Sequence, residues 1–324
     1  MRAIIPVAGV GSRLRPHTYT IPKVLLNVAG KPIIGHIMDK IIAGGFDAVT
    51  IVVGYLGDKV KEYITENYSI SVDFVEQEER LGLGHAIYLS RHTISKDPIL
   101  IILGDTVFDV NLAAMTSGEY SSIGVKEVSD PRRFGVAESA NGFITRLIEK
   151  PEDPTSNLAI VGLYFIRRPD VLLDCLKSMI KNDMRTKGEY QLTDGLQMMI
   201  ERGEKLKTFT IDGWFDCGKS ETLLETNKHL LGQHSTHTVP PGVVVIPPVF
   251  ISPKAVVKNS VIGPNATIAA GATVEDSVVR NSIISEDSIV RSALLEESII
   301  GSNAVVKGGY KRINIGDSSE LEFY

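Results

Sequence analysis

Cysteine is almost absent from this chain: Cys175 and Cys217 are the only two in 324 residues. Two thiols make at most one bridge, which excludes a disulfide-stapled scaffold and suits reduced thiols in a cytoplasmic protein. Long hydrophobic runs are missing too. Nothing approaches the roughly 18 consecutive apolar residues of a membrane helix. The most apolar late segment, Val239 to Ile251, is broken by Pro240, Pro241, Pro247 and Pro248, and the apolar start before Gly9 is too short for a signal-peptide core. Positive charge is in deficit: 34 Lys and Arg against 39 Asp and Glu leave a net charge of −5. Without a basic segment there is no electrostatic footprint for nucleic acid. What remains is 43% hydrophobic residues, enough for about two globular domains.

Through the first two thirds, strand-like runs alternate with helical patterns. Ala3–Val7, Val49–Val53, Val72–Val75 and Ile99–Leu103 read as strands, and Pro32–Ala43, Asp58–Asn67 and Gly84–His92 as helices. This alternation predicts a Rossmann-like α/β fold, a mixed but mostly parallel sheet with helices on both faces and ligands at the carboxyl ends of its strands. A strand-rich stretch follows (Ile123–Val128, Gly135–Glu138, Phe143–Glu149, Ala159–Ile166). Helices Val171–Asn182, Leu192–Glu201 and Glu221–Leu231, with a strand at Leu206–Ile211, complete this part.

The pattern then changes. Val239–Pro248 reads as a linker or a domain-edge segment. Beyond it, aliphatic residues recur at Val256, Ile262, Ile268, Val274, Val279, Ile284, Val290, Leu295, Ile300 and Val306, five or six apart. That spacing suits neither strand alternation nor a helix; it is the hexapeptide period of a left-handed parallel β-helix. The expected domains are therefore 1–235 and 236–324, with the polar segment Ile313–Glu322 as a cap and oligomerisation as the repeat's role. Acyl transfer on such a repeat typically needs a histidine base. All seven histidines (His17, His36, His85, His92, His229, His234, His237) precede the repeat, which argues against that activity.

Gly9-Val10-Gly11-Ser12-Arg13-Leu14 follows the first strand. Glycines there let backbone N–H groups approach a phosphate. Leu14 occupies the place where a dinucleotide fingerprint wants a small residue, and no Gly-Lys-Ser/Thr is present for a Walker loop. Arg13 and, downstream, Lys23 supply two cations suited to a triphosphate; the alternative is a plain turn with surface bases. Gln77 and Asp105 also follow predicted strands and are expected to line the same crevice.

These residues carry a resemblance. Ile5-Pro-Val-Ala-Gly-Val-Gly-Ser-Arg-Leu-Arg-Pro16 with Pro22-Lys23 is similar to the opening of the sugar-1-phosphate nucleotidylyltransferases. In order there follow Gln77, Leu81-Gly-Leu-Gly-His-Ala86, Leu103-Gly-Asp105, Phe134-Gly-Val136, Ile148-Glu-Lys-Pro151, Asn157–Tyr164, Gly188-Glu-Tyr-Gln-Leu-Thr-Asp194 and Gly213-Trp-Phe-Asp-Cys-Gly218. With the repeat tail the layout most resembles the long glucose-1-phosphate thymidylyltransferases. The opening and Gly84-His85 also resemble bacterial UDP-glucose pyrophosphorylases, and a mannose-1-phosphate guanylyltransferase is a further alternative. The loop is one residue shorter than the family's commonest form, with Ser12 for Thr.

The resemblance implies that a nucleoside triphosphate and a sugar 1-phosphate give a nucleotide sugar and pyrophosphate. It implies Arg13, Lys23 and Lys150 as catalytic cations, and Gly9, Gly11, Ser12, Gln77 and Gly82 as nucleotide-binding residues. Gly135, Glu149, Lys150, Asn157 and Gly162 would hold the sugar phosphate, and Asp105 and Asp216 a Mg2+ cofactor. His85 reads as a helix-face residue, because this chemistry needs no base. Trp214 reads equally as pocket wall or core. The partners implied are the two substrates and further copies of the chain, with neither nucleic acid nor membrane.

Overall fold

The computed structural model describes residues 1–233 and 241–308. The chain forms two compact units, one of residues 1–26 with 31–226 and one of residues 27–30 with 227 onward. The expected boundary at 235/236, His234, His237 and the expected cap Ile313–Glu322 lie outside the described residues.

The first unit is built on a nine-stranded sheet. Its strands and helices are, in chain order, β1 (Arg2–Pro6), α1 (Ile33–Ala43), β2 (Ala48–Val53), α2 (Gly57–Asn67), β3 (Ser71–Glu76), α3 (Leu83–Leu89), β4 (Ile99–Ile102), β5 (Thr106–Asp109), α4 (Leu112–Thr116), β6 (Ser121–Glu127), β7 (Gly135–Ala140), β8 (Phe143–Glu149), β9 (Leu158–Ile166), α5 (Pro169–Lys181), α6 (Leu192–Glu201), β10 (Leu206–Thr210) and β11 (Gly213–Asp216); α7 (Ser220–Gln233) begins in this unit and ends in the second. The order across the sheet is β8-β7-β9-β4-β1-β2-β3, with β6 on β9 and β10 on β6. β1 lies between β2 and β4, parallel to both, with Ile4 opposite Thr50 and Ile101. Ala3, Ile4 and Ile5 are fully buried, as a central parallel strand covered on both faces requires. Beyond β4 the sheet turns antiparallel at β9.

The sequence reading recovers these strands and long helices to within a few residues. It misses β5 and β11, an antiparallel pair outside the main sheet in which Asp216 lies opposite Thr106. The third helix is also shorter than expected, passing into a one-turn 3-10 segment at Ser90–Thr93.

In the second unit three four-stranded parallel sheets stack rung upon rung, the three-sided β-helix expected from the hexapeptide spacing. Of the two readings of Val239–Pro248, Val244–Val245 follows the domain-edge one: it is a rung strand, paired with Val261–Ile262. One detail of the repeat is corrected. The inward column runs through Val257, not Val256: Val257 is in register with Val274, Val290 and Val306 and is buried, whereas Val256 is exposed. Adjacent valines at 256 and 257 leave the one-residue choice of face open to sequence alone. The corners carry Asn259, Asn265, Asp276, Asn281, Asp287 and Asn303 at positive φ, the residue types that best tolerate left-handed backbone without being glycine.

Candidate active site

The carboxyl ends of β1, β3 and β4 open onto a cavity of about 520 Å³ in the first unit, lined by Gly9, Gly11, Ser12, Arg13, Lys23, Gln77, Gly82 and Asp105 among others. The loop after β1 leaves the sheet at Val7, whose N–H donates to the Val52 carbonyl at 2.8 Å. Gly11 then turns at φ 66°, where a Cβ would meet Lys23 Cβ at 3.0 Å, and its carbonyl accepts from the Thr18 hydroxyl at 2.8 Å. Gly9 faces open space.

Lys23 is only 7% exposed. Its Nζ donates to Asp105 Oδ2 at 2.8 Å and stands 4.0 Å from Asp216 Oδ1. The β5–β11 pair makes this possible, since it brings Asp216 beside the segment that follows Asp105, and Cys217 N–H donates to the Asp105 carbonyl at 3.0 Å. The two carboxyls diverge. Burial pushes Asp105 upward, but the Lys23 ammonium, with the Thr106 hydroxyl, holds it below the usual carboxylate range. Burial and then the charge of Asp105 raise Asp216, with Lys23 and Arg13 opposing. Gly218 lets Arg13 approach: a Cβ there would lie 2.9 Å from Asp216 Oδ1 and 3.2 Å from Arg13 Nη2.

At the other end of the cavity Gln77, 6% exposed, begins the turn after β3. Gly82, at φ 106°, has no room for a side chain, because a Cβ would come within 2.7 Å of the Tyr190 carbonyl. Arg80 and Glu189 also line this end, and the sequence reading missed both. Arg80 shares the Gln77 loop, whereas Glu189 arrives from a segment more than a hundred residues on.

The residues expected to hold the sugar phosphate do not line this cavity. Gly135 and Glu149 are partners across β7 and β8. Glu149 accepts from the Thr193 hydroxyl at 2.7 Å and pairs with Lys150 Nζ at 3.1 Å. Lys150 follows β8 at φ 45°, its N–H donating to the Phe134 carbonyl. Gly162, at φ 86°, has its Cβ position filled by the Leu103 side chain, and Leu103 lines the cavity. Asn157 is exposed, its backbone carbonyl taking the Val128 N–H. Thr193, the hydroxyl on Glu149, was unassigned in the sequence although it stands inside a quoted motif.

A second cavity of about 360 Å³ adjoins through Arg13, which lines both, and includes Arg133, Phe134, Trp214 and Asp216. The Phe134 and Trp214 rings meet edge to face at 4.9 Å, and Trp214 Nε1 is buried without a partner among the described residues. Trp214 is therefore a cavity wall.

Residues 2–233 match the nucleotidyl transferase family model. The bifunctional protein GlmU of Methanocaldococcus jannaschii is 36% identical over 240 residues; the match covers 73% of this chain and 56% of that protein, so the chain spans little more than half the length of this relative. A glucose-1-phosphate thymidylyltransferase of Streptomyces griseus is 32% identical over 316 residues, covering 88% of this chain and 87% of that one. Among solved structures, UDP-glucose pyrophosphorylase complexed with UDP-glucose superposes with a TM-score of 0.63 at 26% identity, covering 72% of this chain and 99% of the other.

Proposed function

The chain belongs to the nucleotidyl transferase family, as a sugar-1-phosphate nucleotidylyltransferase, and from that premise we propose that its substrates are dTTP and glucose 1-phosphate, its products dTDP-glucose and pyrophosphate. The observation that carries this reading is the lining of the larger cavity. It gathers the glycine loop with Arg13, the Lys23–Asp105 pair, and Gln77 with Gly82.

In the proposed reaction a phosphate oxygen of the sugar phosphate bonds to the α-phosphorus of the nucleotide, and the bond from that phosphorus to the β-bridging oxygen breaks. The attacking oxygen is already ionised, so no general base is required. Repulsion between two anions dominates the barrier, and fixed cations lower it. Backbone N–H groups around Gly9–Ser12, with Arg13, hold the triphosphate. Lys150 receives the sugar phosphate, and Glu149, fixed by Thr193, accepts from sugar hydroxyls. Gly135, Gly162 and Asn157 shape the backbone beside them.

The residues present fit a Mg2+ ion. Asp105 and Asp216 are two hard oxygen donors with one ammonium between them, and Asp216 is raised by burial and by its neighbour's charge. Among the described residues no group of three or more ligand side chains gathers; an ion on these two carboxylates would complete its shell with substrate phosphates and water. Bound there, the ion supplies charge neutralisation to the phosphates.

A uridylyltransferase is the second reading, supported by the likeness to UDP-glucose pyrophosphorylase. Pyrophosphate release measured for five nucleoside triphosphates against a panel of sugar 1-phosphates tests both. The expected result is dTTP ahead of UTP by less than about tenfold, since one buried methyl is worth about 1 kcal/mol. A clear preference for GTP overturns the assignment in favour of mannose-1-phosphate guanylyl transfer.

We further propose a cytoplasmic homo-oligomer assembled through the β-helix. Its supporting observation is an outward column of Val244, Val261, Val278 and Leu294, in register on one face, with Leu294 84% exposed. No helix among the described residues is long and apolar enough to cross a membrane.

A further inference from the structure

Gln77 is the residue through which the proposed reading meets the base, and a carboxamide presents a donor or an acceptor depending on which way it is turned. Here its surroundings settle the turn. Gln77 Nε2 lies 3.1 Å from the Gly82 carbonyl oxygen. A carbonyl only accepts, so Nε2 donates; turning the amide over would set two oxygens against each other. The same Nε2 lies 3.2 Å from His85 Nδ1. An N–H on that ring nitrogen would face the amide N–H, so Nδ1 is the acceptor. Both amide hydrogens are thereby used. Oε1 has no partner among the described residues and is not sealed from solvent, and Gln77 lines the larger cavity.

We infer that His85 is a positioning residue for nucleotide selection: together with the Gly82 carbonyl it fixes the Gln77 carboxamide so that only the Oε1 acceptor is free to meet the base, and the site selects a pyrimidine carrying an N3–H. Uracil and thymine satisfy this acceptor. Cytosine bound in the same pose turns its N3 lone pair toward the Oε1 lone pairs. The lock needs a neutral ring, and burial keeps His85 below the usual histidine range, with the Glu79 charge and backbone opposing in part. Tyr190, whose ring centroid is 6.4 Å from that of His85, and Gly84, whose N–H donates to the Tyr190 carbonyl at 2.8 Å, frame the imidazole.

This inference rests on the proposed base-reading role of Gln77, and the test separates the two. Steady-state kcat and KM are measured for UTP, dTTP, CTP and 3-methyl-UTP, with glucose 1-phosphate saturating, in the full chain and in His85→Phe, His85→Asn and Gln77→Ala, each checked by thermal unfolding. The full chain is expected to prefer UTP over CTP by about 100-fold and to reject 3-methyl-UTP similarly, because a site built around a hydrogen bond rejects the analogue that cannot make it. His85→Phe removes the acceptor but keeps a ring. It is expected to lower the UTP-to-CTP ratio at least tenfold through KM, with kcat for UTP within about threefold, whereas His85→Asn restores most of the ratio. If the Phe variant fails to fold, His85→Ala is read by the same criterion. A folded variant without the imidazole and with an unchanged ratio overturns the inference. A ratio that falls in Gln77→Ala but not in His85→Phe sinks the role of His85 alone; a ratio unmoved in Gln77→Ala sinks the base-reading assignment beneath it.

Discussion

At Asp105 a single carboxylate has two tasks that the sequence shows as one. It is the proposed donor to the metal, and it is the 2.8 Å partner of Lys23, an ammonium largely withdrawn from water. Asp105→Asn keeps the shape and one acceptor oxygen but removes the charge. Turnover is expected to fall at least about 100-fold, the usual scale for losing such electrostatic stabilisation. A stability loss of about 1–2 kcal/mol should accompany it, kept small by the amide oxygen that still accepts from Lys23 and by Asp216 nearby. Rapid-mix kinetics and urea unfolding check the two separately; near-normal turnover in a folded variant removes Asp105 from the site. Gly82→Ala makes a second residue-level test. A Cβ would lie 2.7 Å from the Tyr190 carbonyl at a φ of 106°, so a loss of about 1–3 kcal/mol is expected, read by the unfolding midpoint, together with a raised KM for the nucleotide. The sequence singled out Gly82 only through the family resemblance, as a nucleotide-binding residue. What it approaches was not readable there, because residues 189 and 190 reach it only through the tertiary fold.

The elements divide along the same line. β1, β2 and β4 were legible because a parallel strand covered on both faces must be apolar throughout. β5 and β11 were not, being four-residue strands with polar ends whose pairing joins Thr106 to Asp216 across more than a hundred residues; no local pattern encodes such a partner. This pair brings the two proposed metal carboxylates together, so both residues were named in the sequence while the element that assembles them went unseen. Helix α6 shows another such link. Its first turn carries Thr193 to Glu149. Thr193→Val keeps the volume and deletes the hydroxyl, leaving a largely buried carboxylate one donor short. KM for the sugar phosphate is expected to rise about tenfold, consistent with a charged hydrogen bond of about 1.5 kcal/mol, with KM for the nucleotide unchanged. Equal rises in both would show that the helix positions the whole site rather than Glu149.

For the whole molecule, the repeat holds no catalytic group that either its sequence or its described residues reveal. Deleting residues 239–324 is expected to change the assembly measured by light scattering while turnover stays within about tenfold of the full chain, consistent with proposed electrostatics that lie wholly in the first unit. A truncated protein that is folded and unchanged in size yet inactive would place the repeat in the catalytic apparatus. One feature of the second unit reaches back toward the start of the chain. Ala29 N–H donates to Asn227 Oδ1, and Asn27 Nδ2 to Glu286, across 198 and 259 residues. On the ribosome these partners are not contemporaries. At roughly 5–20 residues per second, Glu286 is translated about 15–50 s after Asn27. The nascent chain therefore carries the segment just after Lys23 with those hydrogen bonds unmade through most of synthesis: the bond of Ala29 waits for Asn227, and that of Asn27 waits for the β-helix coil that carries Glu286.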